Sequence, residues 1–81
     1  MKKFIYKVRF NEGKAIVDCL NANFSQVQHE ADGTYIFTDT VRTNKRSTEA
    51  SIKTYFCKYL NQFEPLKKNY VIISMEEAAL N

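Results

Sequence analysis

His29 is the sole histidine of this sequence, and Cys19 and Cys57 are its only thiols, so acid–base and nucleophilic chemistry have few side chains to draw on. His29 stands in a polar stretch without a neighbouring nucleophile, which reads as a surface histidine and not as a general base. The two cysteines have no companion Cys and no nearby His. Neither a CxxC redox pair nor a zinc site can be assembled from them, and two reduced thiols are expected. The carboxylates Asp18, Glu30, Asp32, Asp39, Glu49, Glu76 and Glu77 are scattered, and none forms a metal-ligand spacing. No catalytic residue, metal or cofactor is expected, which leaves binding as the chemistry to explain.

Twelve Lys and Arg against nine Asp and Glu give a net charge of +3, a weak preference for anionic partners. Two groups of cations are placed to use it. Lys3, Lys7 and Arg9 alternate with Phe4, Tyr6, Val8 and Phe10, and this period of two is a strand signal. If the aromatic side is buried, Lys3, Ile5, Lys7 and Arg9 share the open side, where a row of cations on a rigid sheet can track a nucleic-acid backbone. Arg42, Lys45 and Arg46 fall in a short segment before a helix start, with Thr43, Asn44 and Ser47 as hydroxyl and amide donors. Anions are attracted to such a place.

The elements that hold these residues follow from pattern. After Asn11-Glu12-Gly13, the spacing of Ile16, Cys19 and Leu20 fits a short helix over about residues 12–22. Phe24 to Glu30 reads as a weak, polar edge strand, and Asp32-Gly33 supplies a hairpin turn into a strand over Thr34 to Thr38. From Ser47 or Thr48, either a credible N-cap, the apolar residues Ile52, Tyr55, Phe56, Tyr59, Leu60 and Phe63 fall within an arc of about 140° and mark the clearest helix. Glu64-Pro65 ends it. Cys57 lies roughly 130° from the centre of that stripe, on the outer face or at an interface. Asn69 to Met75 is a β-rich strand buried on at least one side, and Glu76 to Asn81 reads as a short tail or a final helical turn.

The order strand, helix, strand, strand, helix, strand is the split βαβ arrangement, so the sequence predicts an α+β, ferredoxin-like βαββαβ domain over residues 1–81. Right-handed crossovers place both helices on one face of a four-stranded antiparallel sheet, with the first and third strands central. At 81 residues with 44% hydrophobic composition, there is one core and modest stability. The longest apolar run, Tyr70 to Ile73, is far too short to cross a bilayer, and Lys7 and Arg9 break up any leader after Met1-Lys2-Lys3, so a cytoplasmic location is expected. The stretch Asp32 to Asp39 does not keep the glycine-and-aromatic spacing by which RNA-recognition modules of this fold stack bases, and the first strand offers Ile5 to the open face instead of an aromatic.

Taken together, the lysine- and aromatic-rich first strand, the run Gly33 to Thr40, the helix Ser47 to Phe56 and the last strand Tyr70 to Ala79 resemble small proteins of the CRISPR adaptation nuclease group and their antitoxin-like relatives. The resemblance implies a ferredoxin-like homodimer, and some members of these groups bind or cut nucleic acid. Their nuclease members carry a metal-binding aspartate at the end of the first strand, where this chain has Arg9-Phe10-Asn11-Glu12; Glu12 reads as the start of the helix and not as a displaced ligand.

The first reading is therefore a non-catalytic module, paired as a homodimer, that binds RNA, DNA or a nucleic-acid-handling protein through Lys3, Lys7, Arg9, Arg42, Lys45 and Arg46. A second is a protein-interaction or inhibitor module of the kind mobile genetic elements encode, which occludes a partner's surface with Ile5 and one side of the third strand, either Ile36 or Tyr35 with Phe37. A third, a metal-dependent nuclease, would draw on Glu12 or Asp39.

Overall fold

A computed structural model describes residues 1–80 of the chain. Strand β1 (Lys2–Phe10) follows the alternation of its sequence, with Phe4, Tyr6, Val8 and Phe10 buried and Lys3, Ile5, Lys7 and Arg9 on the other face. It is followed by α1 (Lys14–Asn23), β2 (Gln28–His29), β3 (Thr34–Val41), α2 (Glu49–Leu60) and β4 (Tyr70–Ala78). The antiparallel sheet runs β2-β3-β1-β4, which puts β1 and β3 in the centre and gives the ferredoxin-like βαββαβ topology. Ile16 and Leu20 of α1 and Ile52, Phe56 and Leu60 of α2 join the inward side chains of β1 and β3 in one core, so both helices cover the same face. The other face is open.

The β2–β3 hairpin is closed by Asp32 (φ 61°) and Gly33 (φ 72°), both left-handed as a type I′ turn requires. Gly33 also accepts the Phe10 N–H at 3.0 Å, tying the hairpin to the end of β1. Thr48 caps α2 through a reciprocal box, its Oγ1 accepting from the Ser51 N–H and its own N–H donating to Ser51 Oγ.

Several elements differ from the sequence reading. Strand β2 is only two residues long instead of running from Phe24 to Glu30. The Val27 N–H turns back to the Phe24 carbonyl at 3.1 Å, and the Phe24 ring leaves the sheet to meet Phe37, Tyr59 and Phe63 edge to face. Helix α1 begins at Lys14, so Glu12 precedes the helix and does not open it. Helix α2 stops at Leu60, and the turns of Phe63 to Asn69 deliver Leu66, which is fully buried and which no periodicity marks. Tyr55 does not face the core; it is 71% exposed, with Lys58 Nζ 5.5 Å from its ring centroid, because the core accepts a narrower arc of α2 than the sequence stripe offers. Strand β3 continues past Thr38 to Val41. Strand β4 carries on through Glu76 and Glu77 to Ala78, where the sequence reads as a short tail or a final helical turn, and it has a bulge at Ile73, between the residues that pair with Lys7 and Val8. Asn81, the end of that expected tail, lies outside the described residues.

Candidate functional site

The six cations singled out in the sequence do not form one patch. The register sets Lys3 opposite Thr40 and Lys2 opposite Val41, so Lys3 and Arg42 both fall at the end of the sheet where β1 begins and β3 ends. Arg9, six residues further along β1, is about 20 Å away at the opposite end. Lys7 lies between them, but its Nζ is 3.7 Å from Glu30 Oε2 in a half-exposed pair that partly cancels its charge.

The segment between β3 and α2 belongs to the Lys3 end. The C-terminus of α2 is held at the other end, where the Tyr70 hydroxyl lies 3.0 Å from Asn61 Oδ1 and Tyr70 pairs with Phe10, so α2 must start near Val41. The segment itself is locked locally. The Arg46 N–H donates to Asn44 Oδ1 at 2.8 Å, the Asn44 N–H to Ser47 Oγ at 3.0 Å, and the Ser47 N–H to the Asn44 carbonyl at 3.1 Å. Lys45 and Arg46 sit exposed at the tip of this turn, and Arg42 is exposed beside Lys3. None of these four has an ion-pair partner among the described residues; the pair Lys2–Glu77, at 3.5 Å, is the nearest one. The N-terminus of α2 adds little to their field, since the cap already takes the Ser51 N–H and Glu49 occupies the first turn.

The middle of the open face is mixed in character. Ile5 stands opposite Thr38 on one side and Glu76 on the other, and Ile36 stands opposite Lys7 and Gln28. The two isoleucines are half-buried diagonal neighbours across β1 and β3, ringed by charges of both signs. Tyr35 and Phe37, the other side of β3, face the core, which leaves Ile36 as that strand's apolar contribution here.

The groups that catalysis would need stay apart. His29 stacks on the Tyr35 ring at 4.4 Å. It lines a cavity of about 470 Å³ with Glu12 and Asp32, between the start of α1 and the hairpin. Asp39 is opposite Phe4, near the far end of β1, so Glu12 and Asp39 are roughly 25 Å apart and cannot share one metal ion. Among the described residues there is no group of three or more His, Cys, Asp or Glu that could hold a metal.

Cys57 does not lie on the outer face. It is half-buried beside Tyr70, whose hydroxyl is 3.3 Å from its carbonyl, and burial together with Cys57 pushes the Tyr70 phenol up to about 12.

A second cavity, of about 510 Å³, opens on the helix-covered side between the Phe24–Val27 turn, β3 and α2. Asp39 lies in its wall, half-buried, and desolvation raises its carboxyl above the usual 3.8. Sequence reasoning counted Asp39 among the scattered carboxylates. Its setting depends on the early end of β2, which no local signal gives. No known protein family, curated protein or solved structure matches the chain.

Proposed function

We propose that this chain is a non-catalytic binding module that holds a polyanion, the phosphate backbone of a nucleic acid, at the end of its sheet formed by Lys3, Arg42, Lys45 and Arg46. The observation that carries the reading is the gathering of these four exposed or half-exposed cations around an ordered turn, with none of them in an ion pair among the described residues. Phosphate contacts of this kind position a backbone without reading its sequence. Arg9 and Lys7 stand apart from this group and serve as outlying charges at most.

Fluorescence anisotropy with labelled single-stranded and duplex RNA and DNA tests the proposal. Affinity should fall steeply between low and moderate salt, and the double variant Arg42→Glu/Arg46→Glu should lose at least tenfold, while Lys7→Glu, already paired to Glu30, should lose far less. A binding constant that ignores salt, or an equal loss from Lys7→Glu, would overturn it.

The diagonal pair Ile5 and Ile36, with Lys7, Glu30 and Glu76 around it, favours a second reading, in which the open face covers a protein partner. Ile5→Asp would abolish that contact and leave nucleic-acid affinity in place.

A further inference from the structure

The cavity of about 510 Å³ beside β3 has an unusual wall for a surface hollow. Phe24 meets Phe37 at 5.4 Å and Tyr59 at 5.9 Å, and Phe37 meets Phe56 at 5.5 Å, so four rings linked edge to face border it. Asp39 is the sole charged residue of the lining, and it takes no part in an ion pair among the described residues. Phe24 and Tyr59 are the part-exposed rings of this wall, and aromatic rings beside one carboxylate in a hollow of this size attract the same chemical class, an organic cation, the rings through their quadrupole and the carboxylate through its charge. Burial disfavours the charged form of Asp39, so a cation brought beside it would be attracted at a site that water screens poorly.

The cavity also reaches a free strand edge. Thr38 lines it although its side chain belongs to the open face. Strand β2 covers β3 only at Tyr35 and Ile36, beyond which the Phe24–Val27 turn leaves the sheet. The Thr34 carbonyl accepts from the Glu30 N–H and so points outward. By the two-residue period, the N–H and C=O groups of Thr38 and Thr40 point outward too, with no strand beside them among the described residues. A chain added there would hydrogen bond through its backbone, and the residue it set opposite Asp39 would send its side chain to the same face, into the cavity.

We propose that this cavity receives a lysine or arginine side chain from an extended peptide that adds as a strand to the free edge of β3 at Thr38 to Val41. The peptide backbone supplies the ladder, and Asp39 and the aromatic wall supply the selection for a cation, on the helix-covered face next to the basic end of the sheet. Because the whole chain is net positive, long-range attraction does not help, and the affinity comes from the desolvated contact.

The test is a titration of the isotope-labelled full chain, followed by amide chemical shifts. The probes are the acetylated and amidated peptide Thr-Val-Arg-Val-Thr, its analogue with Gln in place of Arg, and acetyl-arginine amide alone. The arginine peptide should shift the amides of Phe24 to Val27 and Phe37 to Val41 and bind at least about tenfold tighter than the Gln analogue. Acetyl-arginine amide should be weaker again, since it has no ladder to form. Asp39→Asn should erase the preference for arginine with the spectrum otherwise unchanged, and Tyr59→Ala, on the exposed side of α2, should reduce it. Equal binding of the Arg and Gln peptides, shifts along β4 instead of β3, or acetyl-arginine amide binding as well as the peptide would each overturn the proposal.

Discussion

The ring of Tyr6 lies flat on that of Phe56, with centroids 3.8 Å apart, and its hydroxyl is fully buried without a hydrogen-bond partner. A buried hydroxyl left unpaired costs about 1–3 kcal/mol relative to its hydrated state, whereas the stacked ring loses nothing if the oxygen is removed. Tyr6→Phe should therefore raise unfolding stability, by about 1 kcal/mol, in urea melts followed by far-UV circular dichroism. A destabilised variant would mean that the hydroxyl has a partner. The same burial, reinforced by the charges of Asp39 and Cys57, pushes the Tyr6 phenol up to about 12 from 10.0. With the folded value raised, the contribution to stability is whole below pH 10 and is lost as pH rises towards 12, since the unfolded chain gives up this proton first. In Tyr6→Phe that alkaline loss should shrink to the share of Tyr70, which is raised to about 12 as well.

The hairpin between β2 and β3 is the element on which the arrangement of the sheet depends most locally. Gly33 adopts φ +72°, and a Cβ there would stand 3.1 Å from the Phe10 carbonyl oxygen, so Gly33→Ala adds both backbone strain and a close contact with β1. A loss of about 1 kcal/mol or more is expected in the same melts; an unchanged midpoint would show that the turn can rearrange freely. This turn was legible from Asp32-Gly33 alone, and β1 from its strict alternation, because both signals are local. The limits of α2 were less legible, since Tyr55 and Tyr59 extend its apolar stripe yet are 71% and 47% exposed. How wide an arc a helix buries is decided by the sheet beneath it. Leu66 carries no periodic signal because it reaches the core from a turn. The shortness of β2 and the pairing of Lys7 with Glu30 depend on strand register, so a site assigned by listing cations overstated the open face and missed the setting of Asp39.

At the scale of the molecule, the sheet ends in a strand, β4, whose outer edge is uncovered along its length and where Val71 is 64% and Ile73 43% exposed. The bulge at Ile73 and the charges of Glu76 and Glu77 guard that edge against indiscriminate pairing. The charges around β4 are polarised, with exposed Lys67 and Lys68 just before it and the glutamates near its end. A second copy running antiparallel would answer the glutamates with those lysines and cover both apolar side chains, whereas a parallel copy would set like charges side by side. The pairing proposed here is therefore a two-fold dimer through β4, which leaves the basic ends and the β3 edges of both copies free. Light scattering across a concentration series should report twice the chain mass at high concentration, and Lys67→Glu/Lys68→Glu should return it to one chain mass by setting four acidic side chains together. Adding Glu76→Lys to that variant should restore part of the association. A single chain mass at every concentration would rule the β4 dimer out and leave the sheet's last edge protected by its bulge and its glutamates alone.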